Sequence, residues 1–365
     1  MASNSFGKIF RITTWGESHG KAVGVVIDGC PAGLNISEEE INQQLALRAP
    51  GKNPFTSPRN EEDRAEIYSG VFEGKTTGAP ISIIIPNKDA DSSKYESIKD
   101  LLRPGHANYT YLKKYGIFDH RGGGRASARE TACRVAAGAI AKKFLEKEGI
   151  FLLAYIKEIG NIQATVDHSK LQQNPQLISQ NILFCPDERA TKEMIAKIEA
   201  ARNAQDSLGG VVELLIDNHL AGLGDPIYEK MEANLAAAMM SIPASKGFEM
   251  GAGFMAASMS GAAHNDAFVC QGNEIRTSTN HAGGTLGGIT NGMPLIARIA
   301  FKPTSSIMKP QETVDKKGEP ATLQFPEGSR HDPCVAIRAV PVVEAMAALV
   351  IADSLLFNRC CCLER

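Results

Sequence analysis

The sequence predicts an α+β fold in which short antiparallel strands pack against helices and the chain runs through one pattern twice. Three observations lead there. Strand-like stretches such as IYSGVF and FMAASMSG are short, bounded by glycine and partly alternating in polarity, which favours antiparallel pairing with helices packed on the sheets. Residues 22–34 read AVGVVIDGCPAGL and residues 211–223 read VVELLIDNHLAGL, with Ile-Asp and Ala-Gly-Leu in one register. After each come, in the same order, a helix, a Gly-x-Pro strand opening and an arginine-led apolar helix. Chance accounts for one such match, whereas four in one order indicate two related halves about a pseudo-two-fold axis.

In chain order, an apolar strand spans 9–12. The capping box Ser37-x-x-Glu40 opens a helix over 38–47. Thr77-Gly78-Ala79-Pro80 introduces the strand ISIII, and a glycine-rich loop runs into an alanine-rich helix over 127–146. In the second half a helix over 228–240 follows Pro226, Asn291-Gly292-Met293-Pro294 introduces the strand LIARIAF, and an apolar helix covers 340–357. A short apolar strand is expected over 335–337, with Cys334 as its first buried residue. The chain 1–365 is read as one domain, with halves at about 1–159 and 209–357 and a frayed tail at 358–365. A polar insertion at about 160–208 has no counterpart, carries a helix over 188–203 and is expected to be peripheral to the chemistry.

With 39 basic and 41 acidic residues, net charge −2, the chain has no overall field for nucleic acid or an anionic membrane, so any anion site is local. The eight cysteines form no CxxC pair and no metal-finger spacing, so reduced thiols in a cytoplasmic protein are expected. Cys360, Cys361 and Cys362 do not form a prenylation box. No basic-then-apolar leader opens the sequence, and the longest apolar helix contains Glu344 and Asp353, which argues against membrane insertion. There is no Walker loop, no strand leading into G-x-G-x-x-G and no carboxylate cluster suited to Mg²⁺.

The loop from Arg121 to Thr131, RGGGRASARET, is suited to an anion. Its glycines let backbone N–H groups approach an oxyanion, the following helix N-terminus adds donors and partial positive charge, and Arg121, Arg125 and Arg129 bring forked cationic donors. Trp15-Gly16-Glu17-Ser18-His19-Gly20 presents an imidazole from a tight loop. A proton donor near neutral pH and a loop histidine bonding only backbone both fit that stretch. Arg103-Pro104-Gly105-His106 places a second histidine beside an arginine; the cation depresses the imidazole pKa, and a bound anion reverses the shift. Arg330-His331-Asp332 joins an anion clamp to a candidate base. The four glycines of Asn280–Gly288 suit close approach to a flat or phosphorylated ligand, and Lys302-Pro303-Thr304-Ser305-Ser306 gathers an ammonium and three hydroxyls. Arg48 shares a Pro-Gly loop with Lys52. Arg48, Arg103, Arg125, Arg129, Arg330 and Lys302 are too many cations to bury together without several ligand charges. A polyanionic substrate and a phosphorylated cofactor supply them.

Together these stretches resemble the chorismate synthase family. The resemblance rests on WGESHG, SGVFEGKTTGAPI at 69–81, RPGHANYTY at 103–111, the run from Arg121 to Lys143, NHAGGTLGG at 280–288, KPTSS at 302–306 and RHDPCVAIRAVPVVEAM at 330–346, in order over nearly the whole chain. It implies a sandwich of helices between two antiparallel sheets, assembled as a homotetramer. It also implies loss of phosphate and a ring hydrogen from 5-enolpyruvylshikimate 3-phosphate, a 1,4-anti elimination giving chorismate that needs reduced FMN without net redox change. The flavin is reduced by NADPH on the enzyme or by an external flavin reductase.

By that resemblance, His19 protonates the departing phosphate, His106 protonates or stabilises the reduced flavin, and Asp332 assists proton removal at flavin N5. Ser18, Arg48, Arg103, Ala128, Arg129 and Arg330 hold the substrate. Arg125, Ala126, Ser127, Gly287, Lys302, Pro303, Thr304, Ser305, Ser306 and Arg330 contact FMN, and Pro243-Ala244 stands where the family commonly has Asn-Ala, a backbone contact. One departure bears on ligand binding: the family loop after Arg48 usually carries a second arginine, and this chain has Pro54 there. Lys52 or Arg59 is then the substitute for substrate or NADPH contacts.

Overall fold

The computed structural model describes residues 4–51, 53–57, 62–88, 92–217, 221–272, 274–329 and 331–363. The first half builds a sheet from β1 (Ser5–Phe6), β2 (Arg11–Gly16), β3 (Ala22–Asp28), β4 (Glu66–Ser69) and β5 (Ile81–Pro86), in the order β1-β2-β3-β5-β4. The second sheet comprises β6 (Phe151–Ile159), β7 (Ile162–Gln163), β8 (Gly210–Asp217), β9 (Ser245–Met250) and β10 (Leu295–Phe301), in the order β9-β10-β8-β6-β7. All these pairings are antiparallel. The repeated sequence becomes a repeated position. β3 and β8 are the central strands of their sheets, and each pairs with the Gly-x-Pro-led strand of its own half, β5 or β10.

Alternation decides which face is buried. In β5, Ile81, Ile83 and Ile85 are buried, and in β10 so are Leu295, Ala297, Ile299 and Phe301. Both sheets turn these faces to the helices α1 (Glu38–Arg48), α3 (Thr131–Lys147), α5 (Met231–Met240) and α6 (Ala336–Asn358). α3 lies on the first sheet, α6 on the second, and the two helices pack on each other. At their crossing Gly138 meets Ala345 so closely that Ala345 Cα lies 2.6 Å from where a Gly138 Cβ would stand. Residues of both halves thus share one hydrophobic core. The helices α2 (Asn108–Tyr115) and α4 (Glu188–Asn203) lie among the connections.

α6 is long and apolar enough to cross a membrane, yet it is a core helix with most of its side chains buried. Its two carboxylates are satisfied inside the fold. Glu344 accepts from the Ala154 amide at 2.9 Å and from Lys142 Nζ at 2.7 Å, and Asp353 accepts the amides of Lys8, Ile9 and Phe10 at 2.7–2.9 Å. The Ser37–Glu40 capping box is present at the start of α1. Two local expectations fail. FMAASMSG is largely a 3₁₀ turn over Gly253–Ser258 rather than a strand, because four small residues and a glycine leave little side chain to pack on a sheet. Val335 caps α6 and residues 336–337 begin it rather than form a strand, since the apolar run continues at helical spacing into the core.

Candidate active site

Three loops converge on the turn that carries His106. Gly105 has φ +66, a left-handed conformation that favours glycine, and a Cβ there would stand 3.2 Å from Ser305 Cβ and 3.5 Å from Lys302 Nζ. Lys302 Nζ donates to the Gly105 carbonyl at 2.8 Å, and its backbone amide donates to Ala244 O at 2.9 Å. Pro243-Ala244, Lys302–Ser306 and Gly105-His106 are therefore neighbours. From the other side Arg103 Nη2 donates to Gly122 O at 2.8 Å, which ties in the glycine-rich loop. That loop presses on the WGESHG turn: a Cβ on Gly122 would stand 2.8 Å from Ser18 Oγ.

Arg103 is buried, lies over the Tyr95 ring at 5.7 Å and makes no ion pair among the described residues. Burial pulls its pKa down to about 10. His106 is held down to about 3, by burial first and then by the charges of Arg103 and Lys302. Its Nδ1 accepts the Asn108 amide at 3.2 Å, so the neutral ring carries its proton on Nε2. Burial lowers His331 to about 4, with Arg103 lowering it further against the opposing charge of Asp332. His19 Nδ1 bonds Ser92 Oγ at 2.9 Å and its ring meets Tyr95 edge-on.

Arg48 and Arg129 close on one carboxylate that sequence reasoning missed, Asp63. All three side chains are buried, and Arg48 also donates to Ala128 O at 3.0 Å and to Thr131 Oγ1 at 3.2 Å. Arg129 Nε donates to Asn87 Oδ1 at 2.7 Å, while Asn87 Nδ2 donates to Glu17 O and Gly20 O. Asn87 thus couples Arg129 to the loop of His19. Asp332 accepts Arg338 Nη1 at 2.9 Å and the Ser57 amide at 2.8 Å, and Arg338 Nε reaches Arg48 O. A signal for Arg338 was the arginine six residues after Asp332 at the head of an apolar helix; Asp63, in a charged stretch, carried none.

Not every arginine of the glycine-rich loop turns inward. Arg121 is exposed and bidentate to Asp119, with Nη2 donating to Oδ2 at 2.7 Å and Nε to Oδ1 at 2.9 Å. Arg125 points toward β2, donating to Gly16 O, Thr14 O, Thr14 Oγ1 and Asn4 Oδ1. What remains available to a ligand at 125–127 is chiefly backbone, with Ser127 Oγ capping the short turn of Ala128–Glu130. Gly287 tops the hairpin 285–290, whose Gly288 packs on Asp225 and Lys230. Arg330, Lys52 and Arg59 lie outside the described residues. Cys334 is buried with its thiol pushed up to about 12 by burial, which removes it as a nucleophile at neutral pH.

The chain matches the chorismate synthase family over residues 10–356. It is 60% identical over 365 residues to the chorismate synthase of Protochlamydia amoebophila, covering 99% of each chain. Against that of Synechocystis it is 54% identical over 355 residues, covering 97% of each. The fold superposes on a crystal structure of chorismate synthase with a TM-score of 0.76 at 34% identity, covering 96% of this chain and 93% of that one. The chain belongs to the chorismate synthase family. It is accordingly a lyase of aromatic amino acid biosynthesis.

Proposed function

We propose that the chain converts 5-enolpyruvylshikimate 3-phosphate to chorismate by 1,4-anti elimination of phosphate, with reduced FMN bound beside the substrate. The observation that carries this reading is Arg103, a buried guanidinium without a carboxylate partner among the described residues, set beside His106 and Lys302. A buried cation left alone is costly, and an anionic ligand removes that cost. Arg48 and Arg129 share the single carboxylate of Asp63, which leaves a second excess positive charge nearby. Three buried polar atoms without hydrogen-bond partners, Ser18 Oγ, Thr304 Oγ1 and His331 Nε2, support a ligand with several oxygens and suit a flavin phosphate at the 302–306 loop.

FMN would be held by Lys302–Ser306, the backbone of 125–127 and Pro243-Ala244, with Gly287 and Arg330 as further contacts. Reduced FMN, when bound, supplies an acceptor for the ring hydrogen without net redox change. Ser18, Arg48, Arg103, Ala128, Arg129 and Arg330 bind the carboxylates and phosphate of the substrate. His19 gives a proton to the departing phosphate. His106 enters neutral and takes a proton as the anions arrive, because their charge opposes that of Arg103 and Lys302. Asp332, oriented by Arg338 and the Ser57 amide, is the base. The exposed apolar side chains of Phe254, Met255, Phe268 and Ile275 support self-association, and the assembly proposed is a homotetramer in the cytoplasm.

Anaerobic incubation with dithionite-reduced FMN and substrate is expected to yield chorismate and inorganic phosphate in equal amounts, with none formed without flavin. Turnover independent of flavin overturns the reading. Replacing dithionite by NADPH separates flavin reduction on the enzyme from dependence on an external reductase.

A further inference from the structure

The insertion reaches the chemistry. Its C-terminal end, from the last turn of α4 to Ser207, lines a cavity of about 630 Å³ together with Pro54, Ser306, His331 and Asp332. Ser207 Oγ donates to Thr304 O at 2.8 Å and the Leu208 amide to Pro333 O at 2.8 Å, so the insertion is fastened to both loops that flank the cavity. Its two carboxylates are already engaged: Asp206 with Lys309 at 2.7 Å and Asp332 with Arg338 at 2.9 Å. The charge left over is Arg202. Its guanidinium makes one long hydrogen bond, from Nη1 to Pro54 O at 3.4 Å, and no ion pair among the described residues. A second observation also indicates a missing ligand: His331, which lines the cavity, and Thr304, on the loop that Ser207 holds, each have a buried polar atom, Nε2 and Oγ1, without a hydrogen-bond partner.

We propose that Arg202 is a ligand-binding residue of this enzyme, holding a phosphomonoester dianion in the cavity between the insertion and the 302–306 loop. A forked guanidinium that shares a cavity with the hydroxyl-bearing Ser207 and Ser306 is a donor set that a phosphate dianion takes, and the engaged carboxylates remove the repulsion that would otherwise exclude it. The cation comes from the insertion helix and meets the backbone of Pro54, so the loop after Arg48 needs no second arginine of its own to present positive charge there. The proposal rests on the flavin reading above, and two of its ligands carry such a group: the 5′-phosphate of FMN and the 2′-phosphate of NADPH.

The test is a set of titrations of the full chain with FMN, riboflavin, NADPH and NADH, in wild type and in Arg202→Gln. The exposed position makes the variant compatible with folding, which a melting curve checks. Arg202→Gln is expected to weaken one phosphomonoester ligand about tenfold or more and to leave its counterpart lacking that group unchanged. Selective loss on FMN over riboflavin assigns the flavin phosphate, and selective loss on NADPH over NADH assigns the nucleotide phosphate. Arg202→Lys is expected to recover part of the lost affinity. Unchanged affinities throughout, or a uniform loss across all four ligands, overturn the proposal. A wild type that turns over with reduced FMN alongside an unaffected variant sinks this inference alone; a wild type that binds no flavin sinks both readings.

Discussion

A Cβ placed on Gly122 would stand 2.5 Å from Cδ2 of His19. The glycine has φ +67, so its backbone is both left-handed and in direct contact with the imidazole that the proposed chemistry uses as an acid. The spacing of RGGGR is therefore set by what must fit against His19 as well as by backbone donors for an anion.

Gly122→Ala is expected to displace the His19 ring and lower kcat with pre-reduced FMN by about 10²-fold, the effect of an ångström-scale misplacement. Gly124→Ala is the matched control. Gly124 is also left-handed, at φ +53, but a Cβ there meets nothing within 4 Å. Both variants carry backbone strain of about 1–2 kcal/mol, so a comparable fall in melting temperature with a large loss of turnover only in Gly122→Ala is the expected result. Equal activity in the two variants defeats the argument.

Asp63 is the common counter-ion of Arg48 and Arg129, and removing its charge strands two buried guanidinium groups. Asp63→Asn is expected to cost about 3–5 kcal/mol in chemical denaturation near neutral pH. Burial alone pushes the Asp63 carboxyl up, but the charges of Arg48 and Arg129 outweigh it and leave its pKa below the ordinary value. The stability this group contributes is complete above the unfolded-state value, ~3.9, and is lost as pH falls through the lower folded value. The difference between wild type and variant should accordingly shrink only in strong acid. A constant difference down to the acid transition would show that the variant acts through packing instead.

The crossing of α3 and α6 makes a separate demand on Gly138, because Ala345 occupies the space of a side chain there. Gly138→Val is expected to destabilise the fold by about 1–3 kcal/mol or more, as overpacking does, without a selective effect on turnover by the folded fraction. Differential scanning calorimetry beside a specific-activity measurement separates the two. A melting temperature equal to wild type would mean that the helices can part without cost.

Periodicity and punctuation carried most of the architecture. LIARIAF became β10 with the expected bounds, and the helix over 188–203 was placed to the residue, because each pattern is local. FMAASMSG was misread because small residues alternate without supplying a face to bury. At the site, the loop motifs marked where ligands belong but not which way side chains point. Arg121 and Arg125 share the spacing of Arg129, yet Asp119 takes one and the edge of β2 takes the other. Asp63 and Asn87 escaped notice for the same reason: their roles come from partners brought in by the fold, and nothing in their own sequence neighbourhood announces them.

His19 and His106 are proposed to move different protons, so their substitutions should fail in different ways. His106 is the more constrained, neutral in the empty site with its pKa held down to about 3 by burial, Arg103 and Lys302. Because the folded value lies below the unfolded one, about 6.5, the stability tied to it is present above that pH and is lost as pH falls toward the folded value. Binding of an anionic substrate opposes the two cations and raises the pKa. Calorimetry near pH 6 in buffers of different ionisation enthalpy should then show proton uptake in wild type and its disappearance in His106→Ala. That variant should also shift the pH dependence of the bound reduced-flavin absorbance. His19→Ala should keep the proton uptake and a normal flavin spectrum while slowing phosphate release. Each loss of turnover should fall within the range of general-acid contributions, about 10²–10⁴-fold. A purely structural role predicts instead that melting temperature, FMN affinity and activity decline together. Wild-type turnover by both variants under anaerobic, pre-reduced conditions rules out the two acid assignments, since neither proton would then depend on its imidazole.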